Sequence, residues 1–391
     1  LTMGATAVVA RHLGAGDREA CGRTAAQAIV LAAAIGSIMA VVGYLLAPWL
    51  YAVMGGSGRV AELGIAYFRI RIFAMPAVLI FFVTAGFLRG LQNARLPLYI
   101  VLVINLTNVV LDYGLIYGKL GLPAMGIRGG ALASLIAQGV GLATCLKVMF
   151  FSGYTHRYAT RTIAFRMREF WPFLHVSRDL FLRTIMLLLA IVTTTAVSAR
   201  MGKVPLAAHQ IGIQLWLLGA LLIDGFAVAG QALTGKHLGA GQQRRAFLSG
   251  RLLLGWGVSL GLGVALLYAG ASGWLVSIFT RNPEVISTIK RVLPIIILFQ
   301  PINGVAFILD GVLIGASDTA FLRRMMTIGS LLICIPLSIS ALHFGWGLYG
   351  VWSALAALMV FRSSTHLYRF LGRAWLRASP AIERVNEQPF T

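Results

Sequence analysis

Four of the twelve acidic residues in the sequence, Asp112, Asp179, Asp224 and Asp310, stand inside strongly apolar stretches. An ionisable group in hydrocarbon costs about 2.5–3.5 kcal/mol on insertion scales, so it normally faces a partner or an aqueous cavity. The chemistry open to such a carboxylate is exchange: it can hold a proton or a cation, but not both easily. Asn105, Asn108 and Asp112 fall at i, i+3 and i+7 and share one helix face. Two readings stay open there, hydrogen-bond glue between helices or a protonatable carboxylate set between two amides at a cavity. Asp179 and Arg183 are spaced i, i+4 with the acid first, the favourable order for an intrahelical pair. With Arg178 they form a charged collar, read either as a structural pair at the membrane boundary or as a substrate or gate contact. Asp224 shares a face with Gln210, because 14 residues make nearly four turns, and Asp310 shares one with Asn303 and Gln300. Both acids precede a glycine, in Ile223-Asp-Gly225 and Leu309-Asp-Gly311, and this predicts an acidic patch that lines a cavity or is buried in hydrogen bonds. His209, near a helix start, is expected at the interface rather than as a ligand.

Other chemistries lack their residues. There is no Walker loop, since Gly14-Ala-Gly16 has no P-loop lysine or serine, and no HExxH, paired CxxC or GxSxG. No cofactor or metal is expected, and the energy for any transport is expected from an ion gradient. A membrane-embedded enzyme would need a His/Asp/Glu or Ser/His cluster, yet His12, His156, His175, His209, His237, His343 and His366 are dispersed. Cys21, Cys145 and Cys334 are scattered in or beside apolar segments and read as small core residues.

The elements that carry these residues are long apolar helices. With 58% hydrophobic and 12% charged residues and a mean hydropathy of +0.83, the chain departs far from the soluble average of about a quarter charged. Runs of spanning length, roughly 20 residues, lie near 24–54, 62–88, 96–117, 129–151, 171–199, 207–235, 252–279, 292–314, 325–344 and 348–368, and residues 1–10 look like the tail of another. Pro76, Pro294, Pro301 and Pro336 inside such runs suit membrane bundles. The expected class is an all-α polytopic membrane protein. The net charge of +21 does not point to nucleic acid, because its placement follows the loops. Alternate loops put residues such as Arg11, Arg18, Arg89, Arg157, Arg244 and Arg369 on one side, about two to one, and the positive-inside rule makes that side cytoplasmic.

The sequence repeats itself. Arg11-His-Leu-Gly-Ala-Gly16 recurs as Lys236-His-Leu-Gly-Ala-Gly241, an offset of 225. At that offset Trp49-Leu50 meets Trp274-Leu275, Pro76 meets Pro301 and Gly90 meets Gly315; at 221, Gly126 meets Gly347. The expectation is two six-helix lobes of parallel repeat type: an N-terminal lobe over 1–151, a basic cytoplasmic linker over 152–170, a C-terminal lobe over 172–368 and a cytoplasmic tail over 369–391. Residue 1 aligns with residue 226, so the first helix and part of the second are expected to be missing from the first lobe. The seam so exposed, or a central cavity, is where Asn105, Asn108 and Asp112 are expected.

These motifs resemble the multidrug and toxic compound extrusion (MATE) transporters, and within them the DinF-type branch. The resemblance rests on Val8–Gly16 (VVARHLGAG), Leu88–Arg95 (LRGLQNAR), Asn105–Asp112 (NLTNVVLD), Ser177–Arg183 (SRDLFLR), Leu222–Ala227 (LIDGFA) and Leu309–Gly315 (LDGVLIG). It implies a twelve-helix, two-lobed antiporter of a bacterial inner membrane. Such a protein exports amphipathic or cationic small molecules in exchange for protons or sodium ions. Asn108 and Asp112 match the amide and carboxylate that partner a key acid on the absent first helix. The sodium-linked acid of some relatives falls at Asn303, which favours protons. The resemblance leaves open a lipid or lipid-linked flippase of related fold, for which Arg178 and Arg183 are the deep cationic candidates. A monomer in the lipid bilayer is expected, with no nucleic acid partner.

Overall fold

A computed structural model describes residues 1–53, 55–151, 153–158 and 167–376. Arg161 and Arg166 of the expected linker and residues 377–391 of the expected tail lie outside the described residues. The chain divides into two units, Leu1–Phe173 and Leu174–Thr391.

The first unit holds α1 (Thr2–Gly14), α2 (Arg18–Val53), α3 (Gly58–Arg71), α4 (Met75–Gly90), α5 (Arg95–Tyr117), α6 (Ile127–Phe150) and the short α7 (Gly153–Tyr158). Helix α8 (Met167–Arg200) leads into the second unit. That unit continues with α9 (Lys203–Gly239), α10 (Gln243–Phe279), α11 (Pro283–Leu298), α12 (Gln300–Gly315), α13 (Thr319–Ile328), α14 (Ile335–His343) and α15 (Gly347–Leu371). Among the described residues no strand occurs. Among these residues eight helical spans are long and apolar enough to cross a membrane, or nine if α11 and α12, bent by 50°, form one. Helix α15 falls outside that set, and it carries Arg362, His366 and Arg369. The ten expected runs fall on α2, α3–α4, α5, α6, α8, α9, α10, α11–α12, α13–α14 and α15.

The repeat is visible in backbone detail. Shifted by 225, the starts of α2, α3 and α4 at 18, 58 and 75 become 243, 283 and 300, the starts of α10, α11 and α12. The glycine-rich turns close alike: Asp17 N–H donates to His12 O (3.0 Å) in one unit and Gln242 N–H to His237 O (2.8 Å) in the other. Gln92 and Ser317, again 225 apart, both take a positive φ, 64° and 61°. Equivalent helices also pack alike, since α2 meets α4 as α10 meets α12, and α1 meets α4 as α9 meets α12.

Glycine permits these contacts. A Cβ on Gly36 would sit 2.5 Å from Pro76 Cα, and one on Gly261 would sit 2.6 Å from Pro301 Cα. The proline removes a helix N–H just where a bare glycine backbone lies against it. Pro76 and Pro301 each stand in the opening turn of their helix, α4 and α12.

Candidate functional site

In the first unit the polar face of α5 turns toward α6. Asn108 Nδ2 donates to Ser134 Oγ at 3.4 Å. A Cβ on Gly130 would lie 3.7 Å from Asp112 Oδ1, so the carboxylate reaches the α6 backbone at a residue with no side chain to block it. Asn108 and Asp112 are half-buried, whereas Asn105 is exposed. Among the described residues Asp112 has no ion pair. It is therefore a carboxylate in a mostly apolar helix with no cation committed to it.

In the second unit the opposite holds. Asp310 on α12 is 4% exposed and is held by two buried arginines, Arg183 from α8 and Arg362 from α15, which both donate to its Oδ2. His366, also buried, places Nδ1 3.6 Å from Asp310 Oδ1. Arg362 lies over the Phe307 ring, 5.1 Å from its centroid. A buried ion pair of this kind offsets a desolvation penalty of several kcal/mol per ion only through close geometry and further donors.

Arg183 is thus not the i, i+4 partner of Asp179. The next turn is within reach of Asp179, but a buried carboxylate on α12 competes for the guanidinium and wins it. Asp179 instead accepts from Arg178 Nη2 at 3.1 Å and from Thr319 Oγ1 at 3.3 Å, with Arg323 Nε 3.3 Å away. The charged collar exists, but it joins α8 to α13 rather than closing on α8 itself.

The expected acidic patch is also corrected. Asp310 is neutralised by arginines, and Asp224, exposed on α9, lies close enough to Arg183 to attract it. Gln210 is exposed on α9 like Asp224, while Gln300 and Asn303 are buried. Gln300 Oε1 accepts from Asn303 Nδ2 at 3.5 Å and packs on Gly219, where a Cβ would be 2.6 Å away. Asn303 borders a small apolar cavity with Trp216, Phe299 and Trp352. His209 is buried, with Nε2 3.3 Å from Thr195 Oγ1 and its ring 5.7 Å from that of Trp352. The three cysteines are buried and free.

Arg362 and His366 were not singled out from the sequence as site residues. A signal was present, because Arg362, His366 and Arg369 are spaced i, i+4 and i+7 on one face of an otherwise apolar run.

Comparison with known proteins follows the same lines. A family model described as MatE matches residues 1–114 and 180–339. The chain is 32% identical over 344 residues to Protein DETOXIFICATION 43 of Arabidopsis thaliana, covering 88% of this chain and 63% of that protein. It thus spans less than two thirds of that relative's length. It is 28% identical over 368 residues to DNA damage-inducible protein F of Escherichia coli (strain K12), covering 93% and 78%. A crystal structure of MATE in the bent conformation shares the fold, with a TM-score of 0.88 over 96% of this chain and 83% of that one at 19% identity. Other similar proteins are named a probable multidrug resistance protein, in Thermotoga maritima, and a MATE transporter, in Vibrio cholerae. The chain belongs to the MatE family of multi-pass membrane transporters.

Proposed function

We propose that the protein is a secondary antiporter that exports amphipathic or cationic small molecules in exchange for protons, with Asp112 as a coupling carboxylate. The observation that carries this reading is the contrast between two of its membrane carboxylates: Asp310 is locked between two arginines, while Asp112 has no ion pair among the described residues. A group that must bind and release a proton or a cation cannot be permanently neutralised by a neighbour. Asn108, bonded to Ser134 on α6, holds α5 to α6 one helical turn away from Asp112 and positions it. Membership of the MatE family and the likeness to a probable multidrug resistance protein of Thermotoga maritima support export as the activity. The proposed setting is a monomer in a bacterial inner membrane, and the charge pattern supports basic loops in the cytoplasm. The residues around Gln300 and Asn303, with Gln210 and Asp224 on α9, are proposed to meet the substrate.

The test is efflux from proteoliposomes containing the full-length protein, under an imposed proton or sodium gradient. Proton-driven export is expected, and Asp112→Asn is expected to reduce it on the order of a hundredfold or more, the scale on which one positioned proton-transfer group acts. Expression and much of the substrate binding should survive. Parent-like export by Asp112→Asn between pH 6 and 8 would make Asp112 structural glue, and a response to sodium alone would overturn proton coupling.

A further inference from the structure

One end of the second unit carries a basic groove between α10 and the turn that follows α15. Arg244, Phe247, Leu248 and Arg251 line it from α10, and Arg373 lines it from the turn. The three arginines are exposed, and among the described residues none of them is neutralised by an acid.

The groove is built rather than incidental. Arg373 has a left-handed backbone, φ 56°, a conformation that a non-glycine residue seldom takes. Its guanidinium lies 4.6 Å from the Phe247 ring centroid. Phe247 stacks on Phe370 (5.0 Å), and Phe370 stacks on Trp375 (5.5 Å). Trp375, fully buried, donates Nε1–H to Phe370 O at 2.9 Å. The turn is therefore stapled to α10 by a ladder of rings, and Arg373 is aimed by that ladder.

The internal repeat supplies a control. Subtracting 225 from Arg244, Phe247, Leu248 and Arg251 gives Glu19, Gly22, Arg23 and Ala26 on α2. There Glu19 and Arg23 neutralise each other at 3.0 Å. The same backbone is made without the arginines or the ring, so the fold does not demand them.

Below the arginines the same face of α10 is apolar and exposed: Leu248, Leu252 and Trp256 are 50%, 65% and 53% accessible. Arg244 to Trp256 is 12 residues, about 18 Å at 1.5 Å per residue, close to one leaflet of a hydrocarbon core about 30 Å thick. Arg251 starts deeper than Arg244, but its long stem lets the charge rise to the same groove. We propose that this groove binds an anionic phospholipid, with the headgroup phosphate among Arg244, Arg251 and Arg373 and an acyl chain along Leu248, Leu252 and Trp256. Clustered arginines beside membrane helices recognise acidic headgroups in this way.

The experiment is native mass spectrometry of the full-length protein in detergent, titrated with phosphatidylglycerol or phosphatidylcholine. The parent should prefer phosphatidylglycerol on the order of tenfold. The triple variant Arg244→Gln, Arg251→Gln, Arg373→Gln should bind both lipids equally, and the corresponding triple lysine variant should keep most of the preference. A monodisperse triple glutamine variant that retains the preference, or a parent that binds the two lipids alike, overturns the proposal. Full displacement of phosphatidylglycerol by millimolar inorganic phosphate also overturns it, because it assigns the site to a soluble anion. Arg373→Gln alone changes one exposed turn residue and should still lower the preference several-fold if the triple variant does not fold.

Discussion

The two units carry nearly the same backbone and fill one equivalent layer with opposite chemistry. Asp310, Arg362 and His366 meet in the interior of the second unit. At offsets of 225 and 221 the first unit has Ala85, Gly141 and Cys145 in their places, all buried. Gly141 is small because α5 lies directly on it: a Cβ there would be 2.5 Å from Ile104 Cδ1. A layer that an ionic cluster fills in one unit is thus filled by small buried residues in the other. The fold does not require the ions. What they add is a tie from α12 to both α8 and α15, and α8 has no counterpart among the residues of the first unit.

The largest effect on stability should come from breaking that tie on one side. Asp310→Ala leaves Arg183 and Arg362 buried and facing each other without an acceptor, and removing one partner of a buried pair typically costs about 3–5 kcal/mol. Thermal unfolding of the purified protein should show a marked fall in Tm. Replacing the whole cluster, Asp310→Ala with Arg183→Met and Arg362→Met, should recover most of the loss, since apolar groups of similar volume are often neutral in place of a buried triad. A single variant within about 1 kcal/mol of the parent would mean that water already reaches the cluster, and the contrast between the units would shrink accordingly.

The next effect should be the same in both units, and it tests their likeness rather than their difference. Gly86 and Gly311 are 225 apart. A Cβ on Gly86 would sit 2.5 Å from Thr2 O, and one on Gly311 would sit 2.0 Å from Ala227 O, with Thr2 and Ala227 again 225 apart. Backbone cannot yield as a flexible side chain can. Gly86→Ala and Gly311→Ala should therefore each destabilise by about 1–3 kcal/mol, the usual cost of overpacking. Melting curves for the two single variants check this, and a loss confined to one of them would show that the repeat is a likeness of sequence more than of packing.

The repeat was readable because glycine and proline spacing records backbone contacts directly. Pro76 with Pro301 and Gly90 with Gly315 marked breaks and turns that the structure places at equivalent points. Periodicity also put Asn303 and Asp310 on one buried face of α12. What periodicity could not reach was the choice of partner. Asp179 and Arg183 satisfy the local rule for an ion pair, yet Arg183 answers to Asp310, 127 residues away. A spacing rule describes one helix in water, and it carries no term for a rival carboxylate on a neighbouring helix. The burial of His209 was out of reach for the same reason, because it is decided by Thr195 on α8 and Trp352 on α15.

The smallest effect is expected where the two units differ by a single atom type. Asn93 and Asp318 are 225 apart, and each precedes a helix. Asn93 Oδ1 accepts from the N–H groups of Arg95 and Leu96 at 3.1 and 3.2 Å, capping α5. Asp318 stands in the capping place before α13 but makes no such bond. It accepts instead from Arg369 Nε and Nη2 at 2.7 and 3.3 Å. Asp318→Asn would weaken that bidentate pair, and Arg369, with its side chain 29% exposed, can take water in exchange. A partly exposed pair of this kind contributes about 1 kcal/mol or less, and a newly formed asparagine cap contributes a comparable amount. The two changes should nearly cancel, leaving Tm close to the parent value. A loss above about 2 kcal/mol would exceed what a pair with one partly exposed partner supplies, and it would show that the turn before α13 is held by Arg369 of α15 rather than by its own helix end.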